Sequence, residues 1–228
     1  MNKAVILLSG GMDSATTLAV AKSEKYECFA LSFRYAQSNS SELTCAKKIA
    51  ASIKVKKHLI FDLDLSQIGG SAMTDNIEIP KNRTDIDNVK TEIPVTYVPA
   101  RNIIFLSLAL SWAETLNTQH IFIGVNVQDY SGYPDCRDEF IKAFEKTANI
   151  GTKAGISGSE FHIHTPLINL SKAEIIKKGI QLGVDFRDTL SCYDPSPDGK
   201  ACGKCDSCLL RKKGFREAGI KDPTLYKE

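Results

Sequence analysis

Short apolar runs alternate with helical patterns along this chain, and that alternation constrains the fold more than any other feature. The runs have the length and the β-branched or aromatic content of buried strands, and they cover residues 3–8, 27–33, 58–63, 119–125 and 161–167. Helical periodicity lies between them, over residues 14–22, 41–52, 102–116, 135–150 and beyond 171. This order predicts a mostly parallel sheet covered on both faces. We therefore expect an α/β fold, a Rossmann-like doubly wound domain.

Two of the predicted helices begin with capping-box signatures. Asn39 is followed three residues later by Glu42, and Ser171 is followed by Glu174 at the same spacing. In such a box the first side chain accepts a hydrogen bond from the helix backbone, and the acidic side chain reaches back to the cap. We therefore interpret Glu42 and Glu174 as helix-starting residues.

Two stretches interrupt the alternation. Residues 64–97 show no sustained period and carry several turn formers, which is typical of an insertion or an active-site loop. The pattern ends again after Thr189. We therefore predict an α/β domain over residues 1–188 and a small subdomain over 189–228 that ends in a helix. The basic run 211–213 within that helix is typical of a solvated face.

The amino-acid composition excludes few functions, but it indicates a globular protein. The 228 residues are 43% hydrophobic and 25% charged, which suits a globular protein with one substantial core. A formal charge of +2 argues neither for nor against nucleic acid, because only a clustered basic face would attract phosphate over a distance; we expect no stable nucleic-acid binding. The apolar run 4–8 is too short for a signal sequence or a membrane span. We therefore expect a cytoplasmic protein without membrane association.

The first predicted strand leads directly into Ser9-Gly10-Gly11-Met12-Asp13-Ser14, and a helix follows. Parallel strands present ligands at their carboxyl ends, where helix N-termini offer free N–H groups. The glycines let the backbone approach phosphate oxygens, the serines add hydroxyl donors, and the aspartate suits a bound Mg²⁺. An ordinary turn with a helix cap is the alternative. No G-x-x-x-x-G-K-[ST] motif and no G-x-G-x-x-G after a strand occurs. The predicted nucleotide-binding residues are Leu8, Ser9, Gly10, Gly11, Met12, Asp13, Ser14, Ala15, Thr16, Thr17 and Leu18.

Four of the seven cysteines crowd into the last quarter of the chain as Cys192, Cys202, Cys205 and Cys208. An odd total fits poorly with a disulfide framework, and clustered thiols in a reducing compartment typically hold metal. Four thiolates complete a tetrahedral site with no open position, so we predict one structural Zn²⁺ per chain. An iron–sulfur cluster or a redox pair are the alternatives. The role of Cys136 stays open.

Polar residues in two other segments have no obvious structural reason. Arg101 opens an apolar helix, at the end where a cation is disfavoured, which suits recognition of a carboxylate or phosphate. The loop from 129 to 137 combines aromatic rings, carboxylates and an arginine, which suits a planar polar heterocycle. Solvated surface groups and a helix cap are the alternatives. The substrate-binding candidates are Arg101, Asp129, Tyr130, Tyr133, Asp135 and Arg137. Arg101 and Asp135 are also candidates for catalysis, with no firm acid or base.

The loop after the first strand resembles the S-G-G-x-D-S signature of the PP-loop ATP pyrophosphatases. Further segments extend the similarity to nearly the whole chain, and together they resemble the 7-cyano-7-deazaguanine synthase family. These segments are Val98-Pro99-Ala100-Arg101-Asn102, Gly124-Val125-Asn126, 129–137, Thr165-Pro166-Leu167, Ser191-Cys192-Tyr193 and the cysteine spacing.

The resemblance implies an enzyme that cleaves ATP to AMP and pyrophosphate. It would be a carbon–nitrogen ligase that converts 7-carboxy-7-deazaguanine and ammonia into 7-cyano-7-deazaguanine through adenylylated intermediates, in queuosine biosynthesis. It also implies Mg²⁺ and a homodimer.

Two other functions remain open. A PP-loop tRNA sulfur transferase also adenylylates its substrate, and it requires a reactive cysteine near the loop, a requirement for which Cys136 remains available. A non-catalytic ATP-binding regulator with a zinc knuckle would leave the polar loop 129–137 without a role.

Overall fold

Parallel strands in a single sheet form the centre of the computed structural model, which describes residues 1–35, 40–84, 93–127 and 132–227, without the side chain of Ser40. Within these ranges the strands are β1 Lys3–Leu7, β2 Glu27–Arg34, β3 Lys57–Asp62, β4 His120–Phe122 and β5 His162–His164. The helices are α1 Met12–Ser23, α2 Ser40–Ile53, α3 Arg101–Thr115, α4 Asp138–Gly151, α5 Lys153–Ile156, α6 Lys172–Gln181 and α7 Asp206–Ala218.

The strand order is β3-β2-β1-β4-β5. The chain therefore winds outward from β1 in one direction and then returns to continue from β4 in the other. Successive residues of β1 alternate between two cores: Ala4 and Ile6 face α1, α2, α6 and α7, whereas Val5 and Leu7 face α3 and α4. The predicted doubly wound parallel fold is confirmed. None of the described helices combines the length and the apolar character that a bilayer crossing requires.

The two strands on the β4 side are shorter than the sequence predicts. The apolar run 119–125 forms a strand only over β4, because residues beyond it turn toward the segment that follows β5. Ile123 N still donates to His164 O (3.0 Å), and Val127 N donates to Ile168 O (3.1 Å). Gly124 lies in this stretch against the first turn of α1, where a Cβ would lie 3.0 Å from the carbonyl carbon of Asp13. The irregular backbone thus allows α1 to approach the sheet closely.

The capping box at the start of α6 is confirmed. Ser171 Oγ accepts from Glu174 N (3.3 Å), and Glu174 Oε2 accepts from Ser171 N (2.7 Å). Asn39, the first residue of the other predicted box, lies outside the described residues. In its described part, the irregular segment after β3 contains the short 3-10 turn Leu65–Gln67. It contacts the C-terminal segment where Asn82 N donates to Lys204 O (2.8 Å).

The C-terminal segment packs into the α/β domain. Leu190 N donates to Gly10 O (3.0 Å), so this segment contacts the loop after β1 directly. Arg211, predicted as part of a solvated face, is instead buried at 2% exposure. Its guanidinium donates to the carboxylate of Asp222 (3.1 Å), to Thr189 Oγ1 (2.8 Å) and to Phe186 O (3.1 Å). These partners satisfy the buried charge, which explains why that prediction was wrong.

We expect stability to fall as the pH is lowered from 7 to 5, because of histidines on β4 and β5. His164 stacks on Phe122 (4.2 Å between centroids), and its Nε2 lies 3.0 Å from His120 Nδ1. Burial, reinforced by His120 and His162, lowers the pKa of His164 to about 4. The unfolded chain therefore binds the proton first, and stability is lost as pH falls from about 6.5 toward 4. The expected loss between pH 7 and pH 5 is on the order of 1 kcal/mol, less than the whole shift would give, because solvent partly screens the half-buried ring.

Urea unfolding at both pH values, for the wild type and for His164→Asn, measures this effect. The variant lacks the titrating ring, so its stability should change less between the two pH values. An equal loss in both proteins would contradict the assignment to His164.

Candidate active site

A cavity of about 280 Å³ opens at the carboxyl edge of the sheet, where the strand order reverses between β1 and β4. The loop after β1, the start of α3, the stretch after β4 and the C-terminal segment all contribute to its walls. The residues that line it include Ser9, Gly11, Met12, Asp13, Ser14, Phe33, Tyr35, Glu42, Arg101, Phe105, Tyr133, Cys136, Lys172, Ser191, Tyr193, Ser207 and Leu210.

Serine hydroxyl groups of the loop after β1 form hydrogen bonds with the backbone of the same loop. Ser9 N donates to Ser14 Oγ (3.2 Å), Gly11 N donates to Ser9 Oγ (3.2 Å), and Ser14 Oγ donates to Gly11 O (3.0 Å). Gly10 adopts a left-handed φ of 97°, and a Cβ there would lie 2.1 Å from Glu42 O. The loop conformation therefore requires glycine at this position.

The first turn of α1 points its N-terminal end at the cavity. Met12 N donates to Ser191 Oγ at 3.4 Å. Backbone N–H groups and the positive end of the helix dipole together favour an anionic ligand. Of the predicted nucleotide-binding residues, Leu8, Ser9 and 11–14 line the cavity, whereas Gly10 does not and 15–18 are buried inside α1.

Lys172 was not singled out from the sequence, yet it reaches the cavity from the first position of α6. Its Nζ donates to both carboxylate oxygens of Asp13, at 3.0 and 2.9 Å. The lysine side chain is only 11% exposed. The pair places a cation and a carboxylate beside the loop, where phosphate and a divalent ion would each require an opposite charge. The capping box at Ser171 was the signal that could have located it.

Aromatic rings and one arginine form a second wall of the cavity. Arg101 is the first residue of α3, and its Nη1 donates to Tyr35 Oη (3.4 Å). Tyr133 Oη lies 2.9 Å from Thr96 Oγ1 and 3.5 Å from Tyr193 Oη. Phe33 and Phe105, also in this wall, stack with centroids 3.9 Å apart. The wall thus combines flat apolar surface with hydroxyl groups and a guanidinium.

Asp135 holds the start of α3. It is buried at 5% exposure, its Oδ2 accepts from Asn102 N (2.9 Å), and its carbonyl oxygen accepts from Asn102 Nδ2 (3.0 Å). Because Ala100, the residue at the N-cap of α3, makes no side-chain cap, Asp135 takes that function from a distant position. It therefore fixes the helix end that carries Arg101.

The structure brings some of the predicted substrate contacts to the cavity and not others. Arg101 and Tyr133 line it, whereas Asp135 and Arg137 do not. Arg137 is exposed. Asp129 and Tyr130 lie outside the described residues. These contacts remain predictions.

Cys136 lines the cavity as a neutral thiol. Its Sγ accepts from Asn102 Nδ2 (3.3 Å), and burial raises its pKa to about 12. The thiolate is the nucleophilic form of cysteine. The site therefore does not activate Cys136.

The four C-terminal cysteines converge. All are buried, and their sulfur atoms lie within 4.8 Å of one another. The Sγ atoms of Cys202 and Cys208 are 3.9 Å apart, close to the separation of about 3.8 Å expected between ligands of tetrahedral zinc. Backbone N–H groups donate to the sulfurs, from Cys202 to Cys192 (3.1 Å) and from Cys205 to Cys202 (3.3 Å). The cluster therefore has the donor set and spacing of a metal site.

The fold and the loop together define an ATP-using α/β protein of the PP-loop class. Residues 3–219 match the family model described as "Queuosine biosynthesis protein QueC". The 7-cyano-7-deazaguanine synthase of Desulfatibacillum aliphaticivorans is 61% identical over 225 residues, covering 98% of this chain and 96% of the relative. That of Syntrophus aciditrophicus (strain SB) is 60% identical over 224 residues, with the same coverage. The chain belongs to the 7-cyano-7-deazaguanine synthase family, as the sequence motifs predicted.

The fold has a more distant counterpart among solved structures. The NMN synthetase from Francisella tularensis superposes with a TM-score of 0.51 and 17% identity, covering 96% of this chain and 78% of that chain. This similarity concerns the fold alone.

Proposed function

We propose that this protein is a carbon–nitrogen ligase that converts 7-carboxy-7-deazaguanine and ammonia into 7-cyano-7-deazaguanine, with ATP cleaved to AMP and pyrophosphate. Family membership supports the reaction. The observation that carries the proposal is that one cavity is lined both by the phosphate-type loop and by Arg101 with aromatic rings. An ATP α-phosphate and a planar carboxylate would meet in such a cavity.

The substrate must be activated twice, first at its carboxylate oxygen and then at the oxygen of the amide. A carboxylate is a poor electrophile because its leaving group would be oxide, so transfer of AMP to the carboxylate oxygen releases pyrophosphate and supplies a leaving group. Ammonia then displaces AMP and forms the amide. Transfer of a second AMP to the amide oxygen lets that oxygen leave as AMP, which gives the nitrile. Positioning and charge stabilisation contribute most of the rate enhancement in such transfers.

Each wall of the cavity has a role in this scheme. The loop amides and hydroxyls bind the departing pyrophosphate, and Lys172 neutralises phosphate charge. Arg101 binds the substrate carboxylate, and the rings of Tyr133 and Tyr193 pack against the heterocycle. Asp13 would hold the Mg²⁺ that accompanies ATP.

The cysteine cluster would hold one Zn²⁺ per chain. Four thiolates leave no open position, so the ion supports structure rather than chemistry. The short sulfur–sulfur distances fit a single ion better than an iron–sulfur cluster, which places several irons between its thiolates.

We also propose a cytoplasmic homodimer without stable nucleic-acid binding, in which each chain is organised as a domain of residues 1–188 and a subdomain of residues 189–228. The homodimer is carried over from the family.

Purified protein with ATP, Mg²⁺, ammonium and 7-carboxy-7-deazaguanine provides the test, read by mass spectrometry and nucleotide analysis. We expect the nitrile together with AMP and pyrophosphate, and neither when substrate is omitted. AMP formation that requires tRNA and a sulfur donor would support the sulfur transferase instead. ATP binding with no turnover would support the regulator.

Elemental analysis should find about one zinc per chain, and iron in its place would contradict the metal assignment.

Replacing Lys172 by methionine is expected to weaken ATP binding. The substitution keeps the length of the side chain but removes the cation beside the loop and leaves Asp13 without this partner. Loss of a charge-assisted contact of about 1.5–3 kcal/mol predicts a rise of roughly 10- to 100-fold in the KM for ATP. Steady-state kinetics with varied ATP measure it, with Lys177→Met on the same helix as control. An unchanged KM would show that Lys172 does not contact the phosphates.

A further inference from the structure

Glu42 lines the cavity from the first turn of α2. The position of this turn is fixed by its contact with the loop after β1. The Cα of Gly10 lies so close to α2 that a Cβ there would meet Glu42 O at 2.1 Å and Ala46 N at 3.0 Å. The backbone of Glu42 is therefore packed against the loop, while its side chain shares the cavity with Arg101.

The surroundings of Glu42 keep its carboxyl group near its titration point. Burial raises its pKa, the guanidinium of Arg101 lowers it, and Cys205 raises it, with a result of about 7. Tyr35 after β2 and Cys45 on α2 also interact with it electrostatically. A carboxyl group with a pKa near the working pH is suited to proton transfer.

In the proposed reaction the nitrogen atom loses its protons, so the steps that form its bonds to carbon require a proton acceptor. The first AMP transfer requires none. The substrate carboxylate attacks the α-phosphate without losing a proton. In the next step the ammonia nitrogen forms a bond to the acyl carbon, AMP leaves with the electron pair of the broken carbon–oxygen bond, and the nitrogen gives up one proton. Formation and breakdown of the adenylylated amide release the two remaining protons as the carbon–nitrogen triple bond forms.

Other described groups that line the cavity are less suited to accept these protons. Asp13 is paired with Lys172 through both oxygens. Cys136 stays a neutral thiol, with its pKa raised to about 12 by burial. Burial likewise raises the pKa of Tyr35. Asp135 caps α3 outside the cavity.

We propose that Glu42 is the general base that takes protons from the nitrogen nucleophile and from the amide intermediate. This inference rests on the proposed function, since only the nitrogen steps of that reaction require it. Its side chain lines the same cavity as the loop after β1 and Arg101, the two features that would hold the α-phosphate and the substrate carboxylate.

Glu42→Gln separates the two halves of the reaction. Substrate-dependent exchange of labelled pyrophosphate into ATP, measured without ammonium, reports the first AMP transfer alone. We expect the exchange rate to stay within about 3-fold of wild type, whereas nitrile formation falls roughly 10²- to 10⁴-fold. Glu24→Gln, an exposed carboxylate after α1, is the matched control and should change neither rate.

Two further measurements test proton transfer itself. Wild-type nitrile formation, expressed per free ammonia, should rise with pH through about 7, because the carboxylate form is the active one, and Glu42→Gln should lack this rise. Hydroxylamine is largely neutral at pH 7 and needs less help as a nucleophile, so hydroxamate formation should fall less in the variant than amide formation does.

The outcomes are distinct. Nitrile formation by Glu42→Gln at the wild-type rate, or an equal fall in exchange and nitrile formation, would overturn the role of Glu42 alone. A wild type with neither exchange nor nitrile would overturn the proposed function and this inference with it. If thermal melting shows that Glu42→Gln is unfolded, Glu42→Asp decides, with exchange retained and nitrile formation reduced as the expected result and equal loss as the contrary one.

Discussion

Replacing Gly10 by alanine will abolish substrate-dependent ATP cleavage and lower the free energy of unfolding by about 3–5 kcal/mol. A left-handed φ of 97° is unfavourable for a residue with a Cβ, and that Cβ would lie 2.1 Å from Glu42 O, which belongs to a backbone. Backbone cannot rotate away as a side chain does, so either α2 or the loop must move. The strain and the overpacking together account for the expected loss.

Chemical unfolding and pyrophosphate exchange measure the two effects of Gly10→Ala. Gly151→Ala is the matched control, because a Cβ at Gly151 meets nothing within 4 Å and its φ is not left-handed. That variant should keep both stability and activity. A Gly10→Ala protein with wild-type exchange would show that the loop does not require its observed conformation for nucleotide binding.

Removing the metal ion from the cysteine cluster is expected to have an effect of comparable size. Binding free energy at a structural thiolate site is folding free energy, on the order of 10 kcal/mol in small zinc domains. Ser191, Tyr193, Ser207 and Leu210 belong to the same segment and line the cavity. Without the ion these walls lose their support. Even a net loss of about 5 kcal/mol would lower Tm by about 10–20 °C.

A chelator titration followed by thermal melting, elemental analysis and activity tests this expectation, and added Zn²⁺ should restore all three. Cys205→Ser should behave like the chelated protein. Cys45→Ser is the control, since that thiol packs beside the cluster without belonging to it. Metal-free protein with the original Tm would rule out a structural ion.

The fold was predictable because its signals are local. The apolar runs, the loop after the first strand and the cysteine spacing each fall within a few residues of sequence. The limits of β4 were not predictable, because the chain leaves the ladder where Gly124 lets α1 approach. Gly124 is a sign of that approach within residues 119–125, but a glycine alone does not identify the element that packs against it.

The site residues that were missed depend on distant contacts. Glu42 and Lys172 both lie at the starts of helices, where a cap or a solvated charge explains them equally well. What distinguishes them is the cavity that they share with residues far away in sequence. Asp135 is the opposite case: its sequence context suggested a substrate contact, but the structure gives it a role in the fold. Its carboxylate accepts a hydrogen bond from Asn102 N, 33 residues earlier.

The contact between the C-terminal segment and the loop has a consequence for the newly made chain. Met12 N and Ser191 Oγ, which are bonded in the folded protein, are 179 positions apart. A ribosome that adds about 5–20 residues per second needs roughly 10–40 s to travel that distance. Throughout this interval the nascent polypeptide contains the loop after β1 without its hydrogen bond to Ser191. We therefore expect nucleotide affinity to arise late in translation, once Ser191 has been added.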